Sequence, residues 1–250
     1  MISPVLSISS KPKSSNIAIA CKDGSIYEWS YMTPTKLDLL RNMKQFSATE
    51  EPTTLKYSPN GKFLVVTSNC RNVYVYNTSK KEWQSSPLMI SSKKEYPHAV
   101  ELSFSYDSKF FAIVDTQSCA SLYRLDEEER VKSKDKPDKF EEDWVFFGKI
   151  KSHLSEINDV CFGEILNPAN SSEKISKFYS IGNDKMLFQY DANNQLKNKL
   201  DVTSSYKIET ESRPTACIWY PVNYLKEEII MVATDDYKIK LWNVTKNICR

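Results

Sequence analysis

Three polar residues of the sequence, His153, Ser180 and Asp184, are the types that form a nucleophilic triad. In such a triad the carboxylate orients the imidazole, and the imidazole takes the hydroxyl proton of the serine during attack on a carbonyl carbon. A nucleophilic serine often lies in a Gly-x-Ser-x-Gly turn, whereas Ser180 lies in Phe-Tyr-Ser-Ile. The same side chains can also form a buried structural network, so the elements that carry them must decide between the two hypotheses.

Other kinds of catalytic site find few suitable residues in the sequence. The chain has two histidines, His98 and His153, and its six cysteines are never closer than 32 residues, so no paired metal ligands occur. Five glycines leave little room for a phosphate-binding loop, and no Asp-x-Asp-x-Asn-Gly calcium loop is present. We therefore expect no enzymatic activity, with no catalytic residue, no metal and no cofactor or small-molecule substrate.

The composition predicts a folded chain without an electrostatic partner. Of the 250 residues 40% are hydrophobic and 12% aromatic, enough to build a substantial core, and the net charge is only +2. Such a charge predicts neither nucleic-acid binding nor attraction to an anionic membrane. No apolar run approaches the roughly 20 residues that span a bilayer, and residues 1–10 lack the basic start and apolar run of a secretory signal.

The six cysteines predict a reducing, intracellular location. Most of them lie in apolar, strand-like contexts, such as Ala20-Cys21 and Val160-Cys161-Phe162. A reduced cysteine in such a context behaves as a small hydrophobic residue. We interpret all six as buried thiols.

The region around residues 229–243 shows the unit from which the chain is built. Ile229 to Ala233 is an unbroken apolar run, which suits a strand covered on both sides. The polar turn Thr234-Asp235-Asp236 follows, and Ile239 and Leu241 then alternate with polar residues and Trp242 in the period of a strand. This stretch predicts a β-hairpin.

Weaker copies of this hairpin recur along the whole chain. Each copy ends in an aromatic anchor followed by a polar residue, and the anchors are Trp29, Tyr76, Tyr123, Tyr190 and Trp242. The intervals between them are 47, 47, 67 and 52 residues. Periods of about 40 to 45 residues with four strands per unit are typical of WD-type propeller blades. The sequence therefore predicts an all-β, WD-type β-propeller over residues 1–250, with about five blades.

Turn signals locate the inner strands of these blades. Asp23-Gly24 predicts a tight hairpin turn, and Ser58-Pro59-Asn60-Gly61 and Ser105-Tyr106-Asp107-Ser108 predict two matching reversals in consecutive units. The predicted strands are Pro4 to Ile8, Ile17 to Cys21, Ser25 to Trp29, Thr53 to Tyr57, Phe63 to Thr67, Val73 to Tyr76, Val100 to Phe104, Phe110 to Val114, Ala120 to Tyr123, Trp144 to Gly148, Ile157 to Phe162, Phe178 to Ile181, Leu187 to Tyr190, Ala216 to Trp219, Ile229 to Ala233 and Ile239 to Trp242.

Two insertions and an incomplete last unit complete the predicted organisation. Residues 126–143 hold nine acidic and five basic residues, which predicts a mobile loop within the third blade. Asn167 to Ser176 is a second, polar insertion. No clear outer strand follows Trp242, so we expect an incomplete or unclosed ring with exposed strand edges. The chain would then belong to a longer polypeptide or be completed by other blades of its complex.

The anchors and turns resemble the WD-repeat family over nearly the whole chain. In that family an Asp precedes the anchor by six residues, as in the pairs Asp23/Trp29, Asp184/Tyr190 and Asp236/Trp242. Cys70 and Gln117 take that place in the other two units. The resemblance implies that His153, Ser180, Asp184 and Tyr190 form the buried hydrogen-bond network of a blade. This structural role is therefore favoured over a triad.

A closer resemblance rests on residues 144–153, 180–185, 214–221 and 236–241. These segments are similar to the cilia- and flagella-associated WD-repeat proteins of the calmodulin- and spoke-associated complex. The resemblance implies a non-catalytic scaffold of the ciliary axoneme at the base of radial spoke 3, which supports motility. It implies axonemal partners, among them spoke and complex subunits and proteins of the doublet microtubule. The segment 126–143 would be either a solvated excursion or a contact with a neighbouring subunit.

Two other functions of the same fold stay open. A cytoplasmic WD-repeat adaptor or a ubiquitin-ligase substrate receptor is one alternative, although Ser79, Asn193 and Thr245 stand where such receptors carry an arginine. A phosphoinositide-binding propeller is the other, although the chain has no adjacent arginines.

Overall fold

The computed structural model describes residues 3–33, 36–44, 46, 49–70, 72–79, 88–91, 98–126, 144–167, 170–192, 200–208, 211–220 and 227–249. Within these ranges the regular elements are twenty β-strands. The described residues contain no helix that is long and apolar enough to cross a membrane. The strands form five sheets of four strands each, and in every sheet the strands lie side by side in chain order.

The sheets are numbered along the chain. The first sheet contains β1 (Val5–Ser10), β2 (Asn16–Cys21), β3 (Ser25–Thr33) and β4 (Lys36–Lys44). The second contains β5 (Pro52–Tyr57), β6 (Phe63–Ser68), β7 (Asn72–Asn77) and β8 (Leu88–Ser91). The third contains β9 (Ala99–Phe104), β10 (Phe110–Asp115), β11 (Cys119–Leu125) and β12 (Trp144–Lys151). The fourth contains β13 (Ile157–Asn167), β14 (Asn170–Gly182), β15 (Met186–Asp191) and β16 (Val202–Lys207). The fifth contains β17 (Pro214–Trp219), β18 (Ile229–Thr234), β19 (Ile239–Asn243) and β20 (Ile248–Cys249).

The five sheets repeat one antiparallel register between their second and third strands. Each aromatic anchor lies in the third strand and pairs with an apolar residue of the second. The pairs are Ile17 with Trp29, Leu64 with Tyr76, Phe111 with Tyr123, Phe178 with Tyr190, and Ile230 with Trp242. Five units with one register confirm the prediction of about five WD-type blades.

The turns form as their residues predict. In the second sheet the Ser58 hydroxyl accepts a hydrogen bond from the Phe63 amide at 3.0 Å, and Gly61 takes φ of +68°. In the third sheet the Ser105 hydroxyl accepts one from the Phe110 amide at 2.9 Å. Side-chain acceptors of this kind satisfy the backbone of a tight reversal. These two blades therefore have the same turn.

The described residues fall into two compact units. The first unit draws on Met1–Leu102 and Asp126–Trp144, and the second on Ser103–Leu125 and Val145–Arg250. In the first unit, one face of the first sheet packs on the second sheet in a core of small and aromatic side chains. Its members are Ala18, Ala20, Ile26, Phe46, Leu55, Tyr57, Leu64, Val66, Tyr74 and Tyr76.

The second unit contains two cores, one on either side of the fourth sheet. The core between the third and fourth sheets includes Ala112, Val114, Ala120, Leu122, Phe147, Ile157, Val160, Phe162, Phe178 and Tyr190. The core between the fourth and fifth sheets includes Cys161, Tyr179, Ile181, Leu187, Ile208, Cys217, Trp219, Ile230, Val232, Trp242 and Val244. At this second interface the rings of Tyr179 and Trp219 are stacked, with centroids 5.8 Å apart.

Several sequence-based predictions differ from the structure. The predicted insertion from Asn167 to Ser176 is largely strand, because β13 and β14 extend into a long hairpin that pairs Glu164 with Ser176 and Leu166 with Lys174. The fifth sheet does have a fourth strand, β20, which pairs Trp242 with Cys249. Residues 127–143 lie outside the described residues.

Two predictions of burial also need correction. The apolar run of β18 predicts a strand covered on both sides, yet Ile230 and Val232 are buried whereas Met231 and Ala233 are only partly buried. Of the cysteines, Cys21, Cys119, Cys161 and Cys217 are buried free thiols, and Cys70 is exposed. Cys70 is exposed because it lies in the turn after β6 and outside the apolar strand.

Candidate functional site

The structure brings His153, Ser180, Asp184 and Tyr190 together in the fourth sheet. His153 Nδ1 lies 2.9 Å and 3.1 Å from the two carboxyl oxygens of Asp184, and its Nε2 lies 2.7 Å from Ser180 Oγ. Ser180 Oγ is 2.8 Å from Tyr190 Oη, and Tyr190 Oη is 2.5 Å from Ser152 Oγ. The chain of bonds therefore runs from the loop before β13 across β14 to β15.

Asp184 also anchors the backbone on both sides of this network. Its carboxyl group accepts hydrogen bonds from the amides of Leu154 at 3.0 Å and Met186 at 3.1 Å. The carboxyl group of Asp184 thus accepts hydrogen bonds from the imidazole, from the loop before β13 and from the first residue of β15. Buried polar groups cost free energy unless each has a partner, and here these bonds supply the partners.

Protonation of the network follows from its burial. Burial lowers the pKa of the His153 imidazole, and the hydrogen bond and charge of Asp184 oppose that shift. Burial also raises the pKa of the Tyr190 hydroxyl to about 12, although its hydrogen bonds with Ser152 and Ser180 act in the opposite direction. A neutral imidazole donates from Nδ1 to Asp184 and accepts from Ser180 at Nε2. Ser180 can then accept from Tyr190, so all the bonds run in one direction.

This geometry resembles a Ser-His-Asp triad but encloses its serine. Ser180 and Tyr190 have no exposed surface, and only 1% of His153 is exposed. A nucleophilic serine must approach the carbonyl carbon of a substrate, whereas the Ser180 hydroxyl is directed to His153 and Tyr190. The arrangement can tie a loop to two strands, and it offers no approach to Ser180 from the surface.

The packing around this network depends on Gly182 at the end of β14. A Cβ atom at this position would lie 2.6 Å from His153 Nδ1 and 2.8 Å from the carbonyl oxygen of Glu156. Real Cβ contacts are not this short, so any side chain would displace the imidazole. The glycine is therefore needed for close approach.

The pair Asp23 and Trp29 in the first sheet is arranged differently. Asp23 is exposed, and its carboxyl group accepts a hydrogen bond from the Ser25 amide at 3.0 Å. Trp29 is half-buried in β3. The hydrogen bonds described for Asp23 stay within its turn and with Ser3. The structure therefore does not join this pair as it joins Asp184 to Tyr190.

The pair Asp236 and Trp242 in the fifth sheet also lacks a connecting histidine. Lys238 lies 2.8 Å from Asp236, and the Thr234 hydroxyl donates to the same carboxyl at 2.5 Å. These two groups hold the pKa of Asp236 well below its usual range. Trp242 is buried, and within the described part of the chain its indole N–H has no hydrogen-bond partner. In the repeated register, Val232 stands where the fourth sheet has Ser180.

The second sheet holds a network that the sequence did not predict. Glu50, in the loop before β5, is buried, and its carboxyl accepts hydrogen bonds from Ser68 at 2.5 Å, Asn72 at 2.9 Å and Tyr74 at 2.9 Å. This single carboxyl ties the loop to β6 and β7. The signal in the sequence was weak, because a lone acid before a strand has no distinctive spacing.

The third sheet holds an ion pair that the sequence also did not predict. Asp115, at the end of β10, is buried and lies 2.7 Å from Lys149 Nζ in β12. Its other oxygen accepts hydrogen bonds from the amides of Gln117 and Cys119, both at 3.0 Å. An acid directly after the apolar run of β10 is the only sequence signal for this pair.

Side chains also link the first strands of neighbouring sheets. In the first unit the hydroxyls of Ser7 and Ser9 accept hydrogen bonds from the amides of Leu55 at 3.2 Å and Tyr57 at 3.0 Å. In the second unit Asp159 of β13 accepts one from the Cys217 amide of β17 at 2.7 Å. These bonds hold one sheet beside the next without a backbone ladder.

Metal or cofactor binding gains no support from the described residues. In those ranges no cluster of three or more His, Cys, Asp and Glu side chains is arranged to hold a metal ion. The buried carboxyl groups of Glu50 and Asp115 and the partly buried one of Asp184 have partners, as described above.

Comparison with known proteins gives the class of the chain. The sequence profile of the family "WD domain, G-beta repeat" matches residues 41–77, which include β5, β6 and β7. The crystal structure of Saccharomyces cerevisiae Sqt1, a WD-repeat propeller, superposes with a TM-score of 0.71 at 11% identity and covers 98% of this chain and 60% of that one. At this identity the likeness shows the fold alone. The chain therefore has the β-propeller fold, and its residues 41–77 match the WD repeat.

Named relatives give a more specific comparison than the family profile does. The chain is 32% identical over 263 residues to "Cilia- and flagella-associated protein 251" of Tetrahymena thermophila, covering 99% of this chain and 26% of the relative. It is 27% identical to the proteins of the same name from Mus musculus and Pongo abelii, covering 98% of this chain and 17% and 19% of those relatives. The chain therefore spans about a quarter or less of the relatives it matches.

Proposed function

We propose that the chain is a non-catalytic protein-interaction scaffold of the ciliary axoneme. The observation that carries the proposal is the 32% identity over 99% of the chain to a relative named as a cilia- and flagella-associated protein. WD-repeat propellers act as scaffolds because rigid sheets hold several loops and edges in fixed positions. The finer part of the proposal places the protein at the base of radial spoke 3, where it supports motility.

The buried networks have a structural role in this proposal. In the fourth sheet His153, Ser180, Asp184 and Tyr190 tie the loop before β13 to the strands behind it. A scaffold needs its surface loops in fixed positions, and a fully bonded buried network gives that rigidity. In the first and fifth sheets, Asp23 and Asp236 order their own turns. Residues 1–250 then act as one set of blades with anchors near 29, 76, 123, 190 and 242.

The partners in this proposal are other axonemal proteins. They include radial spoke subunits, subunits of the calmodulin- and spoke-associated complex, and proteins bound to the doublet microtubule. The charged segment 126–143, of which residues 127–143 lie outside the described residues, is one candidate contact. Its deletion should weaken assembly at the spoke base if it binds a neighbour, and should leave assembly unchanged if it is only solvated.

The location is tested by tagging the native protein in a ciliated cell and extracting isolated axonemes with increasing salt. Retention on the axoneme together with radial spoke components is expected. A diffuse cytoplasmic signal would favour the alternative, a cytoplasmic WD-repeat adaptor or substrate receptor. Such a signal would contradict the ciliary function and would have no bearing on the fold.

The absence of catalysis is tested with two matched variants of one network. Ser180→Ala removes the only hydroxyl that His153 could activate in the network, and Tyr190→Phe removes a hydrogen bond of the same network without touching that hydroxyl. If the protein is a non-catalytic scaffold, both variants should assemble and support motility to the same degree. Loss of motility in Ser180→Ala alone, at equal protein abundance, would contradict the proposal.

A further inference from the structure

The third sheet ends in an apolar edge strand. β12 (Trp144–Lys151) is the last strand of this sheet, and within the described residues no strand pairs with its outer side. The amide and carbonyl groups of an antiparallel strand point alternately toward the neighbouring strand and away from it. About half of these groups in β12 therefore point away from the sheet. We call the stretch from Val145 to Gly148 the bare edge.

The bare edge lacks the features that protect an edge strand. Its sequence is Val-Phe-Phe-Gly, with no charged residue and no proline, and Val145 is 40% exposed. Proteins normally protect such a strand with charged side chains, proline or a very short length. Val and Phe also have a high strand propensity. A strand of this kind readily pairs with a strand of another polypeptide.

The outer strands of the other sheets do carry such protection. β8 has four residues and β20 has two, whereas β12 has eight. β16 has the polar sequence Val-Thr-Ser-Ser-Tyr-Lys. β4 contains charged residues along its whole length, which are Lys36, Asp38, Arg41 and Lys44. The outer strand of the third sheet is therefore the exception, and its edge needs another explanation.

Side chains hold the bare edge in one position. Phe147 is buried in the core between the third and fourth sheets, and the Arg124 guanidinium lies 5.9 Å from the centre of its ring. The ring of Phe146 packs edge-on against that of Tyr123, with centroids 5.5 Å apart. The edge is therefore formed before any strand is added, so only the added strand has to lose conformational freedom.

The charged segment 126–143 does not have the sequence of a covering strand. It contains nine acidic residues, and its apolar side chains, apart from Pro137, are Val131 and Phe140. A strand along an apolar edge needs apolar residues at alternate positions, and this sequence has no such run. The sequence therefore points to a strand from another polypeptide.

We propose that the bare edge is a β-augmentation site, at which an extended segment of a partner protein pairs with β12 as a fifth strand of the third sheet. Backbone hydrogen bonds supply the affinity in this mode of binding, and side chains at alternate positions supply the specificity. The partner segment should place an apolar side chain beside Val145 and an acidic one beside Lys151, which is exposed. The inference rests on the proposed scaffold function, because it requires a partner polypeptide.

Hydrogen exchange tests the backbone pairing directly. The tagged full-length protein is purified from cells with its bound partners and is compared with the recombinant full-length protein alone. We expect the amides of residues 145–148 to exchange at least about tenfold more slowly in the complex, because those on the outer side gain acceptors. β16 (Val202–Lys207) is the control and should exchange equally in the two samples. Equal exchange of residues 145–148 would overturn the proposal and leave the scaffold function standing.

Two substitutions at Val145 test the edge in the same complex. Val145→Lys puts a charge on the edge, as other edge strands do, and should reduce the bound partner by at least about tenfold. Val145→Thr keeps a β-branched side chain and should retain the partner. Both should leave the unfolding midpoint within about 2 °C, because this side chain is exposed. Equal amounts of bound partner in the two variants would overturn the proposal.

Crosslinking identifies the added strand. A photoreactive phenylalanine analogue at position 145 should join an extended, apolar segment of another protein. The same analogue in place of Ser205, an exposed residue of β16, should not join that segment. Crosslinks from position 145 to residues 126–143 or to a second copy of the chain would overturn the proposal. A tagged protein found outside the cilium would contradict the proposed location, and the exchange measurement on its complex would still decide whether the edge is paired.

Discussion

The second and fourth sheets solve the same structural problem with different side chains. Each must tie the loop before its first strand to the hairpin of its second and third strands. The fourth sheet uses His153 and Asp184, whose bonds continue through Ser180 to Tyr190. The second uses the carboxyl of Glu50 alone, which accepts from Ser68, Asn72 and Tyr74.

The difference shows that two different residue types can form the same link between a loop and a hairpin at the same place in the repeat. Both networks lie between the same strands, and both satisfy buried polar groups. The fourth sheet does so through a titratable imidazole, so its stability depends on pH below about pH 6.5. The second does so through one acceptor that serves several donors, so it depends on a single side chain. The fifth sheet has neither arrangement and leaves the Trp242 indole N–H without a partner in the described chain.

The largest expected effect is that of Glu50→Ala in the second sheet. Removal of the carboxyl leaves the buried donors of Ser68 and Tyr74 and the partly buried donor of Asn72 without this acceptor. The free energy of unfolding should therefore fall by about 3 kcal/mol. Urea unfolding followed by tryptophan fluorescence measures it. Glu211→Ala, which removes an exposed carboxyl, should change the free energy by less than about 0.5 kcal/mol. A loss below about 1 kcal/mol for Glu50→Ala would show that its donors find other partners.

Gly182→Ala should damage the fourth sheet somewhat less. The new Cβ would meet His153 Nδ1 at 2.6 Å, so the imidazole must move and about 2 kcal/mol of stability should be lost. The NMR signal of the hydrogen-bonded Nδ1–H proton reports on the imidazole itself. Gly61→Ala serves as the control, because it strains a turn with φ of +68° and leaves that proton signal unchanged. An unchanged Nδ1–H signal in Gly182→Ala would contradict the packing described.

The third prediction concerns pH and separates the two networks. Because burial lowers the pKa of His153 in the folded protein, the unfolded state binds its proton more readily. This contribution to stability is therefore complete above about pH 6.5 and is lost as the pH falls, by at most about 1.4 kcal/mol per pH unit. Unfolding free energies between pH 5 and pH 7.5 measure it. His153→Gln should flatten the profile, and an equally steep profile in that variant would assign the proton to another group.

The smallest expected effect is that of Val232→Thr in the fifth sheet. The new hydroxyl would stand where Ser180 stands in the fourth sheet and could accept from the Trp242 indole N–H. The free energy of unfolding should then change by less than about 0.5 kcal/mol. Val114→Thr is the control, because Val114 is buried and pairs with Ala120, whose side chain has no donor. Its free energy of unfolding should fall by about 1.5 kcal/mol. Equal losses in the two variants would show that the indole does not reach the hydroxyl.

The inner strands could be predicted because their sequences are strongly patterned. β6 and β10 are apolar runs bounded by turns with Gly, Asn or Asp, and the structure confirms them. Among the outer strands, Trp144 to Gly148 was predicted and lies within β12, but the others were missed for a physical reason. β16, with the sequence Val-Thr-Ser-Ser-Tyr-Lys, alternates between half-buried and exposed positions and has no apolar run. The two strands of the hairpin formed by β13 and β14 were predicted, but its far end was read as an insertion because its residues are polar.

The residues of the fourth-sheet network could be predicted because the WD-repeat family places an Asp six residues before the aromatic anchor. The other networks offered no such spacing. Glu50 and Asp115 take their roles from burial beside particular donors, and burial is a property of the packed sheets. The indole N–H of Trp242 without a partner in the described chain and the exposure of Ile218 and Ile239 likewise depend on which strands have neighbours. Sequence alone predicted two covered faces for β18, and only the structure shows that one is bare.

The hydroxyls of Ser7 and Ser9 have a consequence for how these sheets meet other polypeptides. They accept hydrogen bonds from the amides of Leu55 and Tyr57 in β5. Asp159 accepts one from the Cys217 amide in β17 in the same way. An extended peptide can pair with the edge of a sheet by forming hydrogen bonds with amides that have no partner. These three amides already have acceptors, so an added strand could not pair with them without breaking those bonds.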